Sequence, residues 1–241
     1  MIRLISLCLT LAGGILTAAT SGSLVEAAKG QKAPMDLPMQ ITLLLTGLVL
    51  LPAILMSVTP FLRIVVVLHF LRQALGTQTV PSNQVLVGLA LFLTIFLVQP
   101  VGHEIYEKSW MPYERGTLSA EAAVEAASAP VTQYLSRFVR EKDIALLLDV
   151  SHTAPPAKRT DLSLAVLLPA YILSELKTAF QIGAVLFLPF LIVDLLVASI
   201  TLSVGMVQLP PVMISAPLKV LLFVLVDGWN LVVGSLVKSF Y

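Results

Sequence analysis

Glu175, Lys177, Asp194, Lys219 and Asp227 flank or interrupt the apolar stretches at residues 162–241. Asp194 raises the sharpest question. It lies inside SELKTAFQIGAVLFLPFLIVDLLVASITLSVGM, residues 174–206, which is almost wholly apolar from Ile182 to Val204 and long enough to cross a bilayer. An ionised carboxylate near the centre of a lipid-facing helix costs roughly 3 kcal/mol even on a lenient insertion scale. Two chemistries would justify it. A secondary transporter would use Asp194 and Glu175 in a proton or ion relay. A packed assembly would use the same charges as pairs between helices or subunits, with Asp194 set against Lys219 and Asp227 on facing arms of a hairpin. Arg63, in an earlier apolar run, joins this set as a pairing candidate.

No other constellation points to catalysis. His69, His103 and His152 fall in separate segments, and Cys8 is the single cysteine, so neither a histidine cluster nor a cysteine site for metal is indicated. The chain lacks G-x4-G-K-[ST], G-x-G-x-x-G, H-E-x-x-H and G-x-S-x-G. Without a phosphate loop it does not hydrolyse ATP by the usual route. The reading is a non-enzyme with no cofactor, and any work it assists is powered elsewhere.

The elements that must position these charges are membrane helices. Of 241 residues, 57% are hydrophobic and only 12% charged, against about 25% charged in an average soluble domain. That much apolar surface implies an all-α integral membrane protein. A net charge of +1 supplies no basic field for nucleic acid.

Charge is unevenly spread. Residues 101–161 hold 16 of the 29 charged residues and read as one soluble, mostly helical insert, with helices expected over Ser119–Ala129 and Gln133–Val150 and a stop at Pro155-Pro156. Before it lies a first helical hairpin region, 39–100; after it lies a second, 162–241. In the first, residues 37–58 are interrupted by Pro52, a helix over Ile64–Leu75 carries His69 and Arg72, and Val85–Val98 is only 14 residues, short of the ~20 needed to span. In the second, 162–174, 179–204 and 216–237 are separate apolar segments. Hydropathy suggests about four spans, in a bundle whose helices mostly touch protein.

Residues 1–19 read as a signal peptide: Arg3, an apolar core Leu4–Leu16, then small residues at Thr17-Ala18-Ala19, with a later cleavage option at Glu26-Ala27-Ala28. An uncleaved anchor is the alternative. Cleavage leaves 20–38 as an exposed arm and puts Arg63 and Arg72 on the cytoplasmic side; the insert is then periplasmic.

Gly205-Met206-Val207-Gln208 marks the tip of the second hairpin, with Pro210-Pro211 closing the connection at 205–211. It reads either as a glycine helix stop with a turn or as a pore constriction in which flexible Met side chains seal and yield.

At this point whole blocks resemble a known family. TPFLRIVVVLHFLRQALGTQTVPSNQVLVGLALFLTIFLVQP, SELKTAFQIGAVLFLPFLIVDLLVASITLSVGM and LPPVMISAPLKVLLFVLVDGWNLVVGSLVKSF are similar to the FliP family of flagellar protein-export gate components, over roughly 37–110 and 163–241. The injectisome relatives share S-E-L-K-x-A-F, but R-Q-A-L-G and V-D-G-W-N-L-V-V-G-S-L are nearer the flagellar branch. The resemblance implies an inner-membrane pore subunit that forms a homopentamer, completed by FliR and surrounded by FliQ, with FlhB and FlhA as further partners. It implies passage of unfolded flagellar proteins, powered by a separate ATPase complex and the proton motive force. It also implies helical hairpins raised out of the bilayer, so that Asp194 pairs with Lys219, Lys177 or a neighbouring chain. The family's tip is often a methionine run; here Met206, Val207 and Gln208 occupy the gasket positions.

Overall fold

The computed structural model describes residues 37–77, 79–152, 162–206 and 210–241. The expected signal peptide, the arm up to residue 36, the end of the insert at 153–161, and Val207 and Gln208 lie outside the described residues. The chain divides into two compact units, one reaching Pro52 and the other running from Ala53 to Tyr241. Helix α1, Leu37–Val58, starts in the first unit. Apolar side chains in its first part, among them Leu43, Leu45 and Val49, are exposed. The hydroxyls of Thr42 and Thr46 donate to the carbonyls of Pro38 and Thr42, each at 2.7 Å, which satisfies them within the helix without a partner from elsewhere.

The second unit is wholly helical among the described residues. Its order is α2 (Phe61–Ala74), α3 (Asn83–Ile105), a π-helical turn (Tyr106–Trp110), α4 (Met111–Glu114), α5 (Ala120–Phe138), α6 (Glu141–Val150), α7 (Leu164–Ser203), α8 (Pro211–Leu225) and α9 (Gly228–Lys238). α2 is the centre. It lies along α7 and against α3, and its buried Ile64, Val67 and Leu68 meet Leu86 and Ala90 of α3, Ala179 of α7 and Leu236 of α9. α2 stops where Gly76 takes φ 75° and donates its N–H to Gln73 O at 3.0 Å, a left-handed cap that glycine adopts without a Cβ penalty.

α2 and α7 pack tightly at Gly183. A Cβ there would lie 2.6 Å from Cγ of Phe70 and 3.0 Å from its Cβ. These atoms are near the Phe70 backbone, so the ring cannot simply swing away. Gly183→Ala is therefore expected to cost roughly 1–3 kcal/mol through overpacking, read as a lower unfolding midpoint in mild detergent; an unchanged midpoint would contradict this contact.

The all-helical membrane class stands, but the segments differ from expectation. The short run at 85–98 is part of an apolar helical stretch, Asn83–Glu114, 32 residues long and sufficient to cross a membrane. Pro100 inside α3 removes one N–H without ending the helix; the helical bonding widens to a π-helical turn at Tyr106–Trp110 without a break. The segments 162–174 and 179–204 are one 40-residue helix, α7. Its polar middle does not interrupt it, because Ser174 and Glu175 are buried against other helices. The segment 216–237 instead breaks in two, α8 and α9 bending by 69°, at Asp227, which has φ 50°. Among the described residues two helices thus have spanning length and composition, or three if the bent pair is one span. In the insert, Pro130 sits inside α5, and the break falls at Val139 and Arg140, which are extended.

Candidate functional site

Arg63 and Glu175 form the most deeply buried charge pair. Helix α2 presents Arg63 at 3% exposure and α7 presents Glu175 at 0%. The guanidinium Nε donates to Glu175 Oε2 at 2.8 Å, and Nη2 donates to Oε1. This fork geometry suits arginine, whose planar donors match both carboxylate oxygens. The remaining Nη1 donates to the backbone carbonyl of Ser239 at 3.1 Å and to its hydroxyl at 3.0 Å. Burial, reinforced by the nearby Glu175 carboxylate, pushes the Tyr134 phenol well above its usual range, so Tyr134 is neutral at any physiological pH.

From Ser174 to Gln181 the insert is fastened to the same helix. Ser174 Oγ donates to Asp143 Oδ2 at 2.6 Å and accepts the Arg140 backbone N–H at 3.0 Å. The Arg140 guanidinium donates to Thr178 Oγ1 at 3.1 Å and to Gln181 Oε1 at 2.5 Å. Ser174, Thr178 and Gln181 of α7 are thus occupied by the start of α6, which explains why a helix of membrane-spanning composition carries them.

A second charge pair ties three helices together. Lys219 of α8, 3% exposed, donates from Nζ to Asp194 Oδ2 of α7 at 2.6 Å and to the Ala74 carbonyl at 3.1 Å. Ser215 Oγ, one turn before Lys219, donates to Asp194 Oδ1 at 2.7 Å. Ala74 is the last residue of α2, where carbonyls lack helical partners and the helix dipole favours a cation. The ammonium therefore answers both a carboxylate and a helix end.

The other expected site residues are placed differently. Asp227 does not join Lys219; it is exposed and accepts from Asn230 Nδ2 at 3.1 Å. Its left-handed backbone turns it out of the hairpin face. Lys177 is exposed on α7. At the hairpin tip, Gly205 has φ 77°, its N–H bonds Leu202 O and that of Met206 bonds Thr201 O, both at 3.0 Å, the Schellman pattern of a helix stop. Met206 is 41% exposed; Val207 and Gln208 fall outside the described residues. Sequence reasoning missed Arg140, Asp143, Ser174, Ser215 and Ser239. The one available signal was a Ser directly before Glu175 and a Ser one turn before Lys219.

The FliP family model matches residues 44–236, from within α1 into α9. The flagellar biosynthetic protein FliP of Pectobacterium carotovorum subsp. carotovorum is 48% identical over 205 residues, covering 85% of this chain and 80% of that protein. The protein of the same name from Bacillus subtilis (strain 168) is 48% identical over 201 residues, covering 83% and 91%. That of Treponema pallidum (strain Nichols) is 46% identical over 203 residues, covering 83% and 75%. Arg63, Glu175, Asp194, Lys219 and the helix stop before Met206 all lie within the matched region, and the chain belongs to the FliP family.

Proposed function

We propose that this chain is the pore-forming core subunit of the flagellar type III export gate, passing unfolded flagellar proteins across the inner membrane as the flagellum is built. The observation that carries the reading is the family match over most of the chain. The protein is a multi-pass component of the bacterial inner membrane in flagellar biosynthesis. The flagellar reading prevails over the injectisome one because the matched relatives bear flagellar names. Within it, the chain forms a homopentamer with FliR and FliQ around it and FlhB and FlhA as further partners, and it is not an enzyme. The insert faces the periplasm, and the tip at 205–211 faces the channel.

The arrangement of charge supports a structural use over a relay. Asp194 is engaged by Lys219 and Ser215, and Glu175 by Arg63. The two carboxylates stand 19 positions apart on one helix, about 28 Å at 1.5 Å per residue, too far to hand on a proton directly. Large exposed apolar side chains on α7 and α8, such as Leu195, Ile200, Leu221 and Leu225, form the kind of surface that lipid or neighbouring subunits cover.

The first test is the native mass of the tagged chain in mild detergent, alone and with FliQ and FliR. A ring-sized particle that recruits both is expected; a monomer or dimer indifferent to them, with ion flux from this chain alone in liposomes, would favour a transporter. For the tip, Met206→Ala is expected to raise ion leakage through the assembled gate several-fold while leaving assembly intact. Met is flexible enough to close a constriction that Ala leaves open. Unchanged conductance would remove Met206 from the seal.

A further inference from the structure

Arg63 is covered as well as paired. Its guanidinium carbon lies 4.0 Å from the centre of the Phe240 ring and 5.6 Å from that of Phe138. The two rings meet edge to face with centres 5.7 Å apart. Phe138 is the last residue of α5, the long insert helix, whereas Ser239 and Phe240 follow α9. Apart from this meeting, α5 and α9 scarcely touch. Two parts of the chain, a hundred positions apart, therefore close over one buried cation.

A guanidinium on an aromatic face gains most when water is excluded, and a buried charge pair weakens steeply once water reaches it. If α9 lifts, Arg63 loses the Phe240 face and both bonds to Ser239, and Phe138 loses its ring partner. If α5 lifts, water reaches the same guanidinium from the other side. Phe138 and Phe240, with Pro100, Gln133 and Arg137, line an open cleft, so the cover has space on one side into which it can be displaced.

We infer that Phe138 and Phe240 form a two-part lid over Arg63, and that through it the insert and α9 dock and release as one unit. The insert is then a handle: whatever loosens the end of α5 loosens α9. This inference concerns the single chain and stands whether or not the gate reading holds.

Hydrogen–deuterium exchange on the full chain in mild detergent tests it. Phe138→Leu keeps apolar bulk but removes the ring, and is expected to speed exchange about fivefold in α9, residues 228–238, as well as near its own site. Phe240→Leu is expected to do the same at 130–138. Acceleration confined to each variant's own helix would overturn the lid. The background Arg63→Met with Glu175→Leu, which removes the cation but keeps volume, separates the cause and also serves if a single variant folds poorly. There, Phe138→Leu is expected to leave α9 exchange unchanged. Persistence of the cross-effect without the cation would show that the rings alone couple the helices, and the proposed role of Arg63 would fall.

Discussion

Glu175→Leu is expected to destabilise the chain by roughly 3–5 kcal/mol, the usual cost of stripping one partner from a buried pair. The carboxylate is fully buried, and it is the only anion bonded to Arg63 among the described residues. After the change, Arg63 keeps two bonds to Ser239 and the aromatic cover but no counter-charge. The double variant Arg63→Met with Glu175→Leu is expected to recover most of the loss, because an apolar pair of similar volume avoids the desolvation of both ions. Unfolding midpoints in detergent measure both. A single variant as stable as the parent, or a double variant no better than the single, would show that the pair is not what holds α2 to α7.

Removing the other carboxylate is expected to cost less, but closer to the tip. Asp194→Asn keeps the shape and can still accept from Ser215, yet leaves the Lys219 ammonium with only the Ala74 carbonyl. The Asp194 side chain is 30% exposed, whereas that of Lys219 is 4% exposed. Water on the Asp194 side compensates in part, so about 2–3 kcal/mol is expected rather than the full buried-pair cost. The loss falls on the junction that ties α8 to α7 and to the end of α2, so assembly of the proposed gate, read as recruitment of FliQ and FliR, is expected to drop in parallel. Lys219→Met in the Asp194→Asn background is expected to restore part of both. Full assembly with Asp194→Asn alone would mean that the Lys219 junction does not position the hairpin.

Comparing these two sites shows what was legible beforehand. Arg63, Glu175, Asp194 and Lys219 stand out in the sequence because each is an ion in an apolar run, where an unanswered charge is too costly to persist. Their partners were not legible. Arg63 and Glu175 are 112 positions apart, and Lys219 reaches a carbonyl 145 positions away. Backbone carbonyls carry no sequence signal of their own, and a serine beside a charge does not name its partner. Asp227 was as conspicuous as Asp194, yet its left-handed backbone places it at an exposed bend with Asn230.

Composition, the run lengths and the long blocks shared with the FliP family determined by themselves that this is a helical membrane protein of the flagellar export apparatus. They also located the helix stop at Gly205, since a glycine between an apolar helix and Pro210-Pro211 is a local signal. Only the tertiary structure decided that α7 runs unbroken through its polar middle, that the following segment bends at Asp227, and which charge answers which. The reason is one of range. Hydrophobic periodicity and turn chemistry act over a few residues and are written in the order of the chain. Desolvation is settled by whichever helix crosses nearby, and that crossing exists only once α2, α7, α8 and α9 have come together.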